Sequence, residues 1–441
     1  MGPMNVGPEN VGPLNGERRR PLRVIGMLSG TSYDAVDAAV AELAIDGDAV
    51  VLRPRGLHTE PYPAPLRDAL AACLPPAATT LEAVCRLDTE LGRFFGAVAA
   101  RANAALAEGR ADLVVSHGQT VYHWVTGARA RGTLQLGAAA WIAEATGLPV
   151  VSDLRTRDIA RGGHGAPLAA LLDALLVLGP HPDADPHPEA DPERPARGAL
   201  NLGGIANITA RGARGDVLAY DLGPANALID AAVTAATGGA ERMDAGGARA
   251  ARGRVDRALL ADLLAEPYYR LPPPKSTGKE LFHAAYLRER VEGRGHAPTA
   301  DDLVATLTEL TAELVAGACR AHGLSELVVS GGGVSNPALM ARIRARAAPT
   351  RVTGAEEYGL PAQAKEAYLF ALLGFLTVNG LAGNVPSATG ASGPAVLGSL
   401  TPGAGPLRLP EPRAGAAPRR LVVEPVAQTA SGSRSGGPGR A

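Results

Sequence analysis

The hydrophobic positions of this chain form short runs and longer periodic stretches, which predict strands and helices in two successive groups. Apolar runs near 22–28, 36–44 and 48–53, separated by turn residues, predict a meander of three strands. A helical periodicity extends from Thr80 to Glu108. Short strands in "ADLVVSHGQT" and "LPVVSDL" and a helix in "APLAALLDALLVL" follow it. The first half is therefore predicted to alternate strands with helices.

The second half begins in the same way. "GALNLGGIANITA" predicts a strand, a turn and a strand, and "VLAYDLGPANALIDAAVTAA" predicts a strand that enters a helix through Gly223 and Pro224. "ELVVSGGGVSNPALMARI" predicts a buried strand, a glycine turn and a helix that begins near Asn336. Alternating strands and helices in both halves predict the α/β class.

Stretches without periodicity mark the predicted domain boundaries. Residues 1–20 and 404–441 are rich in Gly, Pro, Ser, Ala and Arg, and are predicted to be disordered tails. The Pro-rich stretch 179–197 alternates His with acidic residues and is predicted to be a solvated linker rather than a metal site. The length of 441 residues favours two domains, 21–197 and 198–403, with the C-terminal part of the second free to return to the first.

Composition excludes several classes of protein. A net charge of −1 and a pI near 6.8 argue against a nucleic-acid binder or a protein of anionic membranes. Three separated cysteines without a CxxC pair indicate neither a disulfide framework nor a zinc site. The N-terminus lacks a signal-peptide core, and no run of about 18 apolar residues follows. We therefore expect a soluble, cytoplasmic protein, and a homodimer is a further hypothesis.

Glycine turns are the first candidate chemistry. "SGTS" (29–32) and "LGGIAN" (202–207) each join two predicted strands, where backbone N–H groups and hydroxyls can hold an anion. Two such turns facing across an interdomain cleft would hold a polyphosphate from both sides. Asp34 and Asp37 suit this setting only if a cation such as Mg²⁺ lies between them and the phosphates. Each turn alone is also typical of an ordinary hairpin.

A third glycine cluster, "VVSGGGVSN" (328–336), lies between a strand and a helix, where backbone can approach a nucleoside closely. It is not the GxGxxG motif of dinucleotide-binding proteins, and the chain has no GxxxxGK[ST] motif. Lysine is rare, with 3 residues against 40 arginines, so Lys275, Lys279 and Lys365 are candidate phosphate partners.

Carboxylates at predicted strand ends are the remaining candidates. Asp221 ends a strand before a Gly-Pro turn, which is a favourable place for a fixed, partly desolvated base. Asp153 and Asp158 alternate with Arg155 and Arg157 in a segment that could equally be a salt-bridged loop. A lone histidine after a strand, His117 in "SHGQT", is commonly structural, and no Ser-His-Asp or HExxH signature is present.

Nine motifs in this order resemble the anhydro-N-acetylmuramic acid kinase family, and they span about residues 24–400. They are "GMLSGTSYDAVD", "SHGQTVYH", "LPVVSDLRTRDIARGGHGAPL", "LNLGGIANIT", "YDLGPANALID", "PPKSTGKELF", "VVSGGGVSNPALM", "AKEAYLFALL" and "GNVPSATGAS". The resemblance implies a two-domain actin/hexokinase/Hsp70-like ATPase fold with a central interdomain cleft. It also implies ATP and Mg²⁺ as cofactors and 1,6-anhydro-N-acetylmuramic acid as the sugar.

The resemblance also implies roles for individual residues. The base that opens the anhydro ring would be Asp221, the metal would lie at Asp34, and Arg157, Glu366, His117 and Asp158 would contact the sugar. The residues expected to bind the nucleotide are Gly30, Thr31, Ser32, Tyr33, Asp34, Ala35, Val36, Asp37, Gly203, Gly204, Gly331, Gly332 and Gly333.

The chain departs from the family pattern at four positions. Ala35 and Ala225 replace glycines, His164 replaces a glutamine, and "QLGA", ending at Ala138, stands where the family has "QIGD". A methyl group at a turn that needs positive φ would cost about 1 kcal/mol. These changes are expected to affect substrate placement more than the fold.

Three alternatives stay open on the residues alone. An actin-like ATPase that drives partner binding would keep the phosphate turns but would not need Asp221, Arg157 and Glu366 around one sugar. A sugar-binding regulator without catalysis is opposed by the intact Asp221. A kinase of a related anhydro or amino sugar cannot be separated from the main hypothesis by sequence.

Overall fold

The computed structural model describes residues 20–30, 33–75, 77–126, 129–179, 195–273, 275–278, 281–292, 294, 297–411 and 417–425. Its strands are β1 (Leu22–Ser29), β2 (Ala35–Asp46), β3 (Ala49–Pro61), β4 (Leu113–Ser116), β5 (Gln119–Thr126), β6 (Arg129–Leu136), β7 (Val150–Ser152), β8 (Arg197–Leu202), β9 (Ile205–Arg211), β10 (Val217–Pro224), β11 (Glu326–Ser330), β12 (Arg351–Gly354), β13 (Ser399–Thr401) and β14 (Arg420–Val423).

The helices alternate with these strands in both halves of the chain. They are α1 (Ala64–Cys73), α2 (Leu81–Leu106), α3 (Ala139–Thr146), α4 (Thr156–Ala160), α5 (Ala169–Asp173), α6 (Asn226–Ala236), α7 (Ala248–Arg252), α8 (Arg257–Leu264), α9 (Ala284–Glu292), α10 (Ala300–Ala321), α11 (Pro337–Ala347), α12 (Lys365–Val378) and α13 (Pro386–Thr389). A π-helical turn, Ala174–Leu178, continues α5.

Five strands of the first sheet have the same order as the five strands of the second, and the edge strands β13 and β14 are additions to the first. The first sheet runs β13-β7-β4-β1-β2-β3-β14 and the second runs β10-β9-β8-β11-β12. In each, an antiparallel meander of three strands (β1–β3 or β8–β10) is followed by two parallel strands on the far side of the first strand (β4 and β7, or β11 and β12). This duplicated α/β topology is that of the actin/hexokinase/Hsp70-like ATPase fold, so the predicted fold class is confirmed.

The first sheet lies between two helices from distant parts of the chain. One face packs on α2 through residues such as Ile25, Met27 and Phe95. The other face packs on α12, whose sequence "AYLFALLGFL" is buried almost throughout. A helix that is apolar on all sides is typical of a buried position. The predicted second domain therefore contributes α12 and strand β13, which pairs with β7, to the first sheet.

The C-terminal tail departs from its prediction. Residues Arg420–Val423 form β14, which pairs in parallel with β3 at the edge of the first sheet. Ion pairs Arg420–Asp48 and Arg53–Glu424, each 2.6 Å long, flank the strand. The prediction of disorder across 404–441 is therefore wrong for this strand, since the short run "RLVVE" covers an open sheet edge. The predicted tail 1–19, the tail end 426–441 and most of the linker, 180–194, lie outside the described residues.

Several predicted helix boundaries are observed. Thr80 caps α2 by accepting a hydrogen bond from the Ala83 N–H at 3.1 Å. Asn336 caps α11 by accepting from the Leu339 N–H at 3.0 Å. Such side-chain caps satisfy donors that the helix itself leaves unpaired. The β5–β6 hairpin was not predicted, because two register shifts interrupt the alternation of its side chains.

Within the described ranges, no helix combines the length and apolar character needed to cross a membrane.

Candidate active site

The turn between β1 and β2 is the first predicted phosphate turn. The Tyr33 N–H donates to the Gly30 carbonyl at 3.1 Å, and Tyr33 has a φ of +44°, a conformation that non-glycine residues rarely adopt. Thr31 and Ser32 lie outside the described residues. The turn is therefore closed by a backbone hydrogen bond between the described residues on its two sides.

Two carboxylates follow this turn and differ in their contacts. Asp34 is exposed, and its carbonyl accepts from the Tyr62 N–H at 3.0 Å, which fixes its backbone. Asp37 accepts a hydrogen bond from the Thr59 hydroxyl at 2.6 Å. Val36 between them is buried in the core. The described residues hold no cluster of three or more metal-ligating side chains. One exposed carboxylate suits Mg²⁺, which proteins bind through one or two carboxylates, water and substrate phosphates.

The second turn, Gly203 and Gly204, lies between β8 and β9 and caps a helix. The Ala225 and Ala227 N–H groups donate to the Gly204 carbonyl at 2.9 and 3.0 Å, and the Asn226 N–H donates to the Gly203 carbonyl at 3.1 Å. These bonds occupy donors at the start of α6. The turn carbonyls thus face the helix.

The glycine cluster after β11 lies against this second turn, because β8 and β11 are parallel neighbours. Gly331 has a φ of +88°, and an added Cβ there would clash with Asn201 Oδ1 and lie 2.9 Å from the Leu202 carbonyl oxygen. An added Cβ at Gly333 would lie 2.7 Å from the Leu202 side chain. These two glycines are required by the packing of one turn on the other.

Three other glycines of these turns have no such requirement. An added Cβ at Gly332 would meet nothing within 4 Å, and at Gly203 and Gly204 it would make only ordinary contacts of 3.5 Å or more. None of the three has a positive φ. They therefore present open backbone at the carboxyl ends of two parallel strands, which is where α/β sheets bind ligands.

Asp221 lies on β10 beside a register shift in its pairing with β9. Its Oδ2 accepts hydrogen bonds from the Ser276 hydroxyl and the Thr277 N–H, both at 3.0 Å. Its backbone is held as well, since its N–H donates to the Lys275 carbonyl at 3.2 Å and its carbonyl accepts from the Tyr268 hydroxyl at 2.8 Å. The segment 275–278 thus fixes one carboxylate oxygen.

The candidate lysines are engaged inside the protein. The Lys275 ammonium donates to the carbonyls of Tyr268 and Tyr269 at 3.3 and 3.0 Å, and burial lowers its pKa while Asp221 opposes that shift. Lys365 is buried and forms an ion pair with Asp173, with 2.5 Å between Nζ and Oδ1. The predicted role as a phosphate partner is therefore wrong for Lys365, whereas for Lys275 it stays a prediction. Lys279 lies outside the described residues.

Glu366 lies in the first turn of α12, where the helix dipole favours a negative charge. Its Oε1 accepts from Asn201 Nδ2 at 3.3 Å. Glu366 thus links α12, which packs on the first sheet, to the end of β8 in the second sheet. Although the residue is exposed, desolvation by the surrounding protein raises the pKa of its carboxyl group. Nearby Asp173 and Asp37 also raise this pKa, whereas Lys365 and Arg155 lower it.

His117 and Arg155 form a contact next to Glu366. His117 is buried, stacks on Phe370 with ring centroids 4.5 Å apart, and lies 3.2 Å through Nε2 from the Arg155 guanidinium. Burial, and then the charge of Arg155, hold the pKa of His117 well below its usual range, which favours the neutral ring. Burial also lowers the pKa of Arg155 to about 10, while Glu366 opposes the shift.

A cavity of about 340 Å³ opens beside this contact, at the ends of β4, β6 and β7. Its lining includes His117, Gln135, Ala138 and Asp153. The departure at Ala138 therefore places a methyl group in the wall of a cavity.

Asp158 and Arg157 are neighbours on α4 with different surroundings. Asp158 is completely buried, and its oxygens accept from Asn384 Nδ2 at 2.7 Å, the Thr389 hydroxyl at 2.8 Å and the Gly165 N–H at 2.8 Å. Its predicted contact with the sugar is therefore wrong: it holds the 160–165 loop instead. Arg157 is exposed and has no ion pair with any residue in the described ranges.

Neither of the two alanines that replace family glycines has a positive φ. Ala35 begins β2 as an extended residue paired with Pro61, and Ala225 has a φ of −115°. Neither lies in the region of φ that favours glycine, so the expected conformational cost does not arise. The third departure, His164, donates its N–H to the Thr389 carbonyl at 2.9 Å.

Three contacts of this site were not predicted. They are the Asn201–Glu366 hydrogen bond, the support of Asp221 by Ser276 and Thr277, and the Asp173–Lys365 ion pair. Each joins residues far apart in sequence. The scarcity of lysine was the one sequence signal that pointed at any of them.

Comparison with known proteins identifies relatives of the chain. A family model described as anhydro-N-acetylmuramic acid kinase matches residues 22–403. The anhydro-N-acetylmuramic acid kinase of Streptomyces avermitilis is 56% identical over 403 residues, covering 91% of this chain and 100% of that protein. Its counterpart in Rhodococcus erythropolis is 53% identical over 389 residues (87% and 94% covered), and the one in Gloeobacter violaceus is 40% identical over 391 residues (87% and 99% covered).

Proposed function

Because this chain belongs to the anhydro-N-acetylmuramic acid kinase family, we propose that ring opening and phosphoryl transfer share one site between its two sheets. The enzyme is an ATP-dependent sugar kinase. It hydrolyses the 1,6-anhydro ring of anhydro-N-acetylmuramic acid and phosphorylates O6, giving N-acetylmuramic acid 6-phosphate for peptidoglycan recycling. The assignment of steps to residues is our proposal.

Asp221 is the general base. Breaking the bond between C1 and O6 of an acetal passes through an oxocarbenium-like state, and a carboxylate can take a proton from the water that attacks C1. The hydrogen bonds from Ser276 and Thr277 hold this carboxylate in one orientation. This fixed carboxylate at a strand irregularity is the observation that carries the proposal, since a positioned base acts only within hydrogen-bond reach of its proton.

The leaving oxygen of the first step is the nucleophile of the second. As the C1–O6 bond breaks, O6 gains negative charge and can attack the γ-phosphorus of ATP, which releases ADP. The sugar oxygen therefore needs no separate acid to protonate it, because the phosphoryl group takes that place. The chemistry requires O6 to face the phosphates while C1 faces Asp221.

The nucleotide is placed by the glycine turns. The open backbone at Gly203, Gly204 and Gly332 leaves room for a nucleotide at the edge of the second sheet. The turn from Gly30 to Asp37 lies on the first sheet and is assigned to the phosphates. Asp34 would hold Mg²⁺, which when bound offsets the phosphate charge in phosphoryl transfer.

The sugar is placed by residues of helices α4 and α12 and by the segments that follow β4 and β7. Glu366 at the start of α12 can accept hydrogen bonds from sugar hydroxyls, and the exposed Arg157 can donate to sugar oxygens. His117 and Arg155 add a neutral ring and a cation beside them. We do not assign Asp158 to the sugar, because its carboxylate oxygens already accept hydrogen bonds from Gly165, Asn384 and Thr389.

Turnover in ¹⁸O-water tests the mechanism. One label is expected at C1 of the product and none in its phosphate, as read by mass spectrometry and ³¹P NMR. Label in the phosphate would mean that water attacks phosphorus, which contradicts the proposal. ADP release with a panel of muramyl and other anhydro sugars tests the substrate: faster turnover of a sugar without the lactyl group would favour a related sugar kinase.

A cytoplasmic location and a homodimer stay predictions. The use of ATP supports the first, and light scattering of the purified protein would test the second.

A further inference from the structure

A buried ion pair joins the two halves beside the site. Lys365 on α12 and Asp173 on α5 have exposed fractions of 6% and 4%, and their charged atoms lie 2.5 Å apart. The second sheet supplies one partner to each. The Lys365 ammonium donates to the Ser330 hydroxyl at 3.3 Å, and the Thr209 hydroxyl donates to Asp173 Oδ2 at 2.8 Å. The pair is therefore bonded to both halves at once.

The position of this pair in the chain links it to both ligand sites. Lys365 immediately precedes Glu366, which we assign to the sugar. Ser330 immediately precedes Gly331, where the third glycine cluster begins. A parallel contact runs from Glu366 to Asn201, which comes just before the second glycine turn. The first turn of α12 is thus hydrogen-bonded to both β8 and β11. We call the carboxyl ends of these two strands, with their glycine turns, the nucleotide edge.

A buried ion pair is a poor device for stability alone, because apolar residues of similar volume commonly stabilise a core as well or better. We propose that Asp173 and Lys365 are positioning residues: they fix Glu366 against the nucleotide edge, so that bound nucleotide strengthens sugar binding. This inference rests on the proposed role of Glu366. Thermodynamic reciprocity then requires that bound sugar strengthen nucleotide binding by the same factor.

The central test measures the sugar dissociation constant by calorimetry, with and without a non-hydrolysable ATP analogue and Mg²⁺. In the wild type we expect the analogue to tighten sugar binding about fivefold or more. In the double variant Asp173→Asn/Lys365→Met, which removes both charges together, we expect a factor below about twofold. The affinity for the analogue alone should change little, since the only described hydrogen bond from either side chain to the third glycine cluster ends on the Ser330 hydroxyl and not on a glycine.

A matched control is available in another buried pair. Glu309 on α10 is buried, and its Oε2 lies 2.7 Å from Nη1 of Arg342 on α11. Glu309 also pairs with Arg346. The double variant Glu309→Gln/Arg342→Met removes this buried pair, and neither residue has a hydrogen bond or ion pair with α12 in the described part of the chain. It should keep the wild-type coupling factor even if its melting temperature falls. Ser330→Ala is a milder test variant, because it removes only the hydroxyl beside Lys365, and it should at least halve the factor.

A pH profile separates positioning from a merely structural role. Glu366 is faced by Lys365 on its own helix, Asp173 on α5, Arg155 after β7 and Asp37 on β2. Asp173 raises the pKa of Glu366 and Lys365 lowers it. The acid limb of sugar binding should therefore move to lower pH in Asp173→Asn and to higher pH in Lys365→Met. A merely structural defect would shift the acid limb in the same direction in both variants, or in neither of them.

Three results would overturn the inference. They are a wild-type coupling factor below twofold, full coupling in both Asp173→Asn/Lys365→Met and Ser330→Ala, and equal loss of coupling in the Glu309→Gln/Arg342→Met control. If the wild type binds no anhydro sugar at all, the proposed function fails and takes the inference with it. That failure is recognisable because it appears before any variant is made.

Discussion

The two halves of the molecule begin with the same strand–turn–strand unit and use it differently. In the first half, the turn after β1 leads into two carboxylates, Asp34 and Asp37. In the second half, the turn after β8 carries no acid, and its carbonyls cap α6. The acid of the second half lies instead on β10, at Asp221. The repeated topology therefore fixes where the two turns lie on their sheets, while the proposed mechanism assigns the metal to the acid of the first turn and the base to Asp221.

The strongest test of this division is Asp221→Asn, which keeps the shape and removes the base. Loss of a positioned base costs about 10²–10⁴-fold in rate, and we expect the upper end because O6 becomes nucleophilic only as the ring opens. Ring opening and phosphorylation should fall together, as measured by ADP release and product mass spectra. Asp216→Asn, just before the same strand, is the control and should keep full activity. A variant that still phosphorylates would move the base elsewhere, first to Asp153.

The matching change in the first half, Asp34→Asn, should lower turnover by about 10²-fold, because one Mg²⁺ ligand is lost while the base remains. Raised Mg²⁺ should restore part of the activity, whereas it should not help Asp221→Asn. Asp46→Asn, at the far end of β2, is the matched control. Wild-type activity of Asp34→Asn at every Mg²⁺ concentration would remove the metal from this turn.

Two neighbouring glycines sharpen the comparison in the second half. Gly332→Ala should weaken ATP binding about tenfold without changing the melting temperature, because its Cβ meets no protein atom. Gly331→Ala should instead destabilise the fold by about 1–3 kcal/mol, since it combines positive φ with a clash against Asn201. Thermal melts and nucleotide titrations separate the two effects. If Gly332→Ala binds ATP normally, the open edge is not the nucleotide site.

The smallest effect concerns the edge of the first sheet. Removing residues 412–441 deletes β14 together with its buried Leu421. It should cost about 2 kcal/mol, seen as a fall of about 2–3 °C in melting temperature. Removing 426–441 alone should change nothing. Equal melting temperatures for both truncations would mean that β14 contributes no stability. Activity should survive in each, because this edge is remote from both turns.

The elements that sequence predicts well are those with a strong local period. The β1–β3 meander, α2 and the strand that enters α6 follow from apolar spacing and turn residues, and the duplicated order of the sheets follows from their repetition. Asp221 was singled out because the strand was expected to end there; in the structure β10 continues to Pro224 and Asp221 lies at an irregularity within it, and its role as the base stays a prediction. These signals lie within a few residues of one another.

The contacts that sequence does not predict are long-range. Asn201 and Glu366 are 165 residues apart, and Ser276 lies 55 residues from the carboxylate it supports. Nothing local distinguishes these side chains from other polar residues. The burial of Lys365 and Asp158 is likewise a property of the assembled halves, which is why both were expected to face ligands.

The late position of α12 in the chain has a consequence for synthesis. The first sheet begins at residue 22, yet the helix that covers one of its faces begins at residue 365. At about 5–20 residues per second, a ribosome needs on the order of tens of seconds to make the intervening chain. Throughout that interval this apolar face of the nascent sheet lacks the largest part of its cover, although α5 already packs on it, and transiently exposed apolar surface of this kind is prone to aggregation. The N-terminal half of this enzyme is thus the first to be made and among the last to be finished.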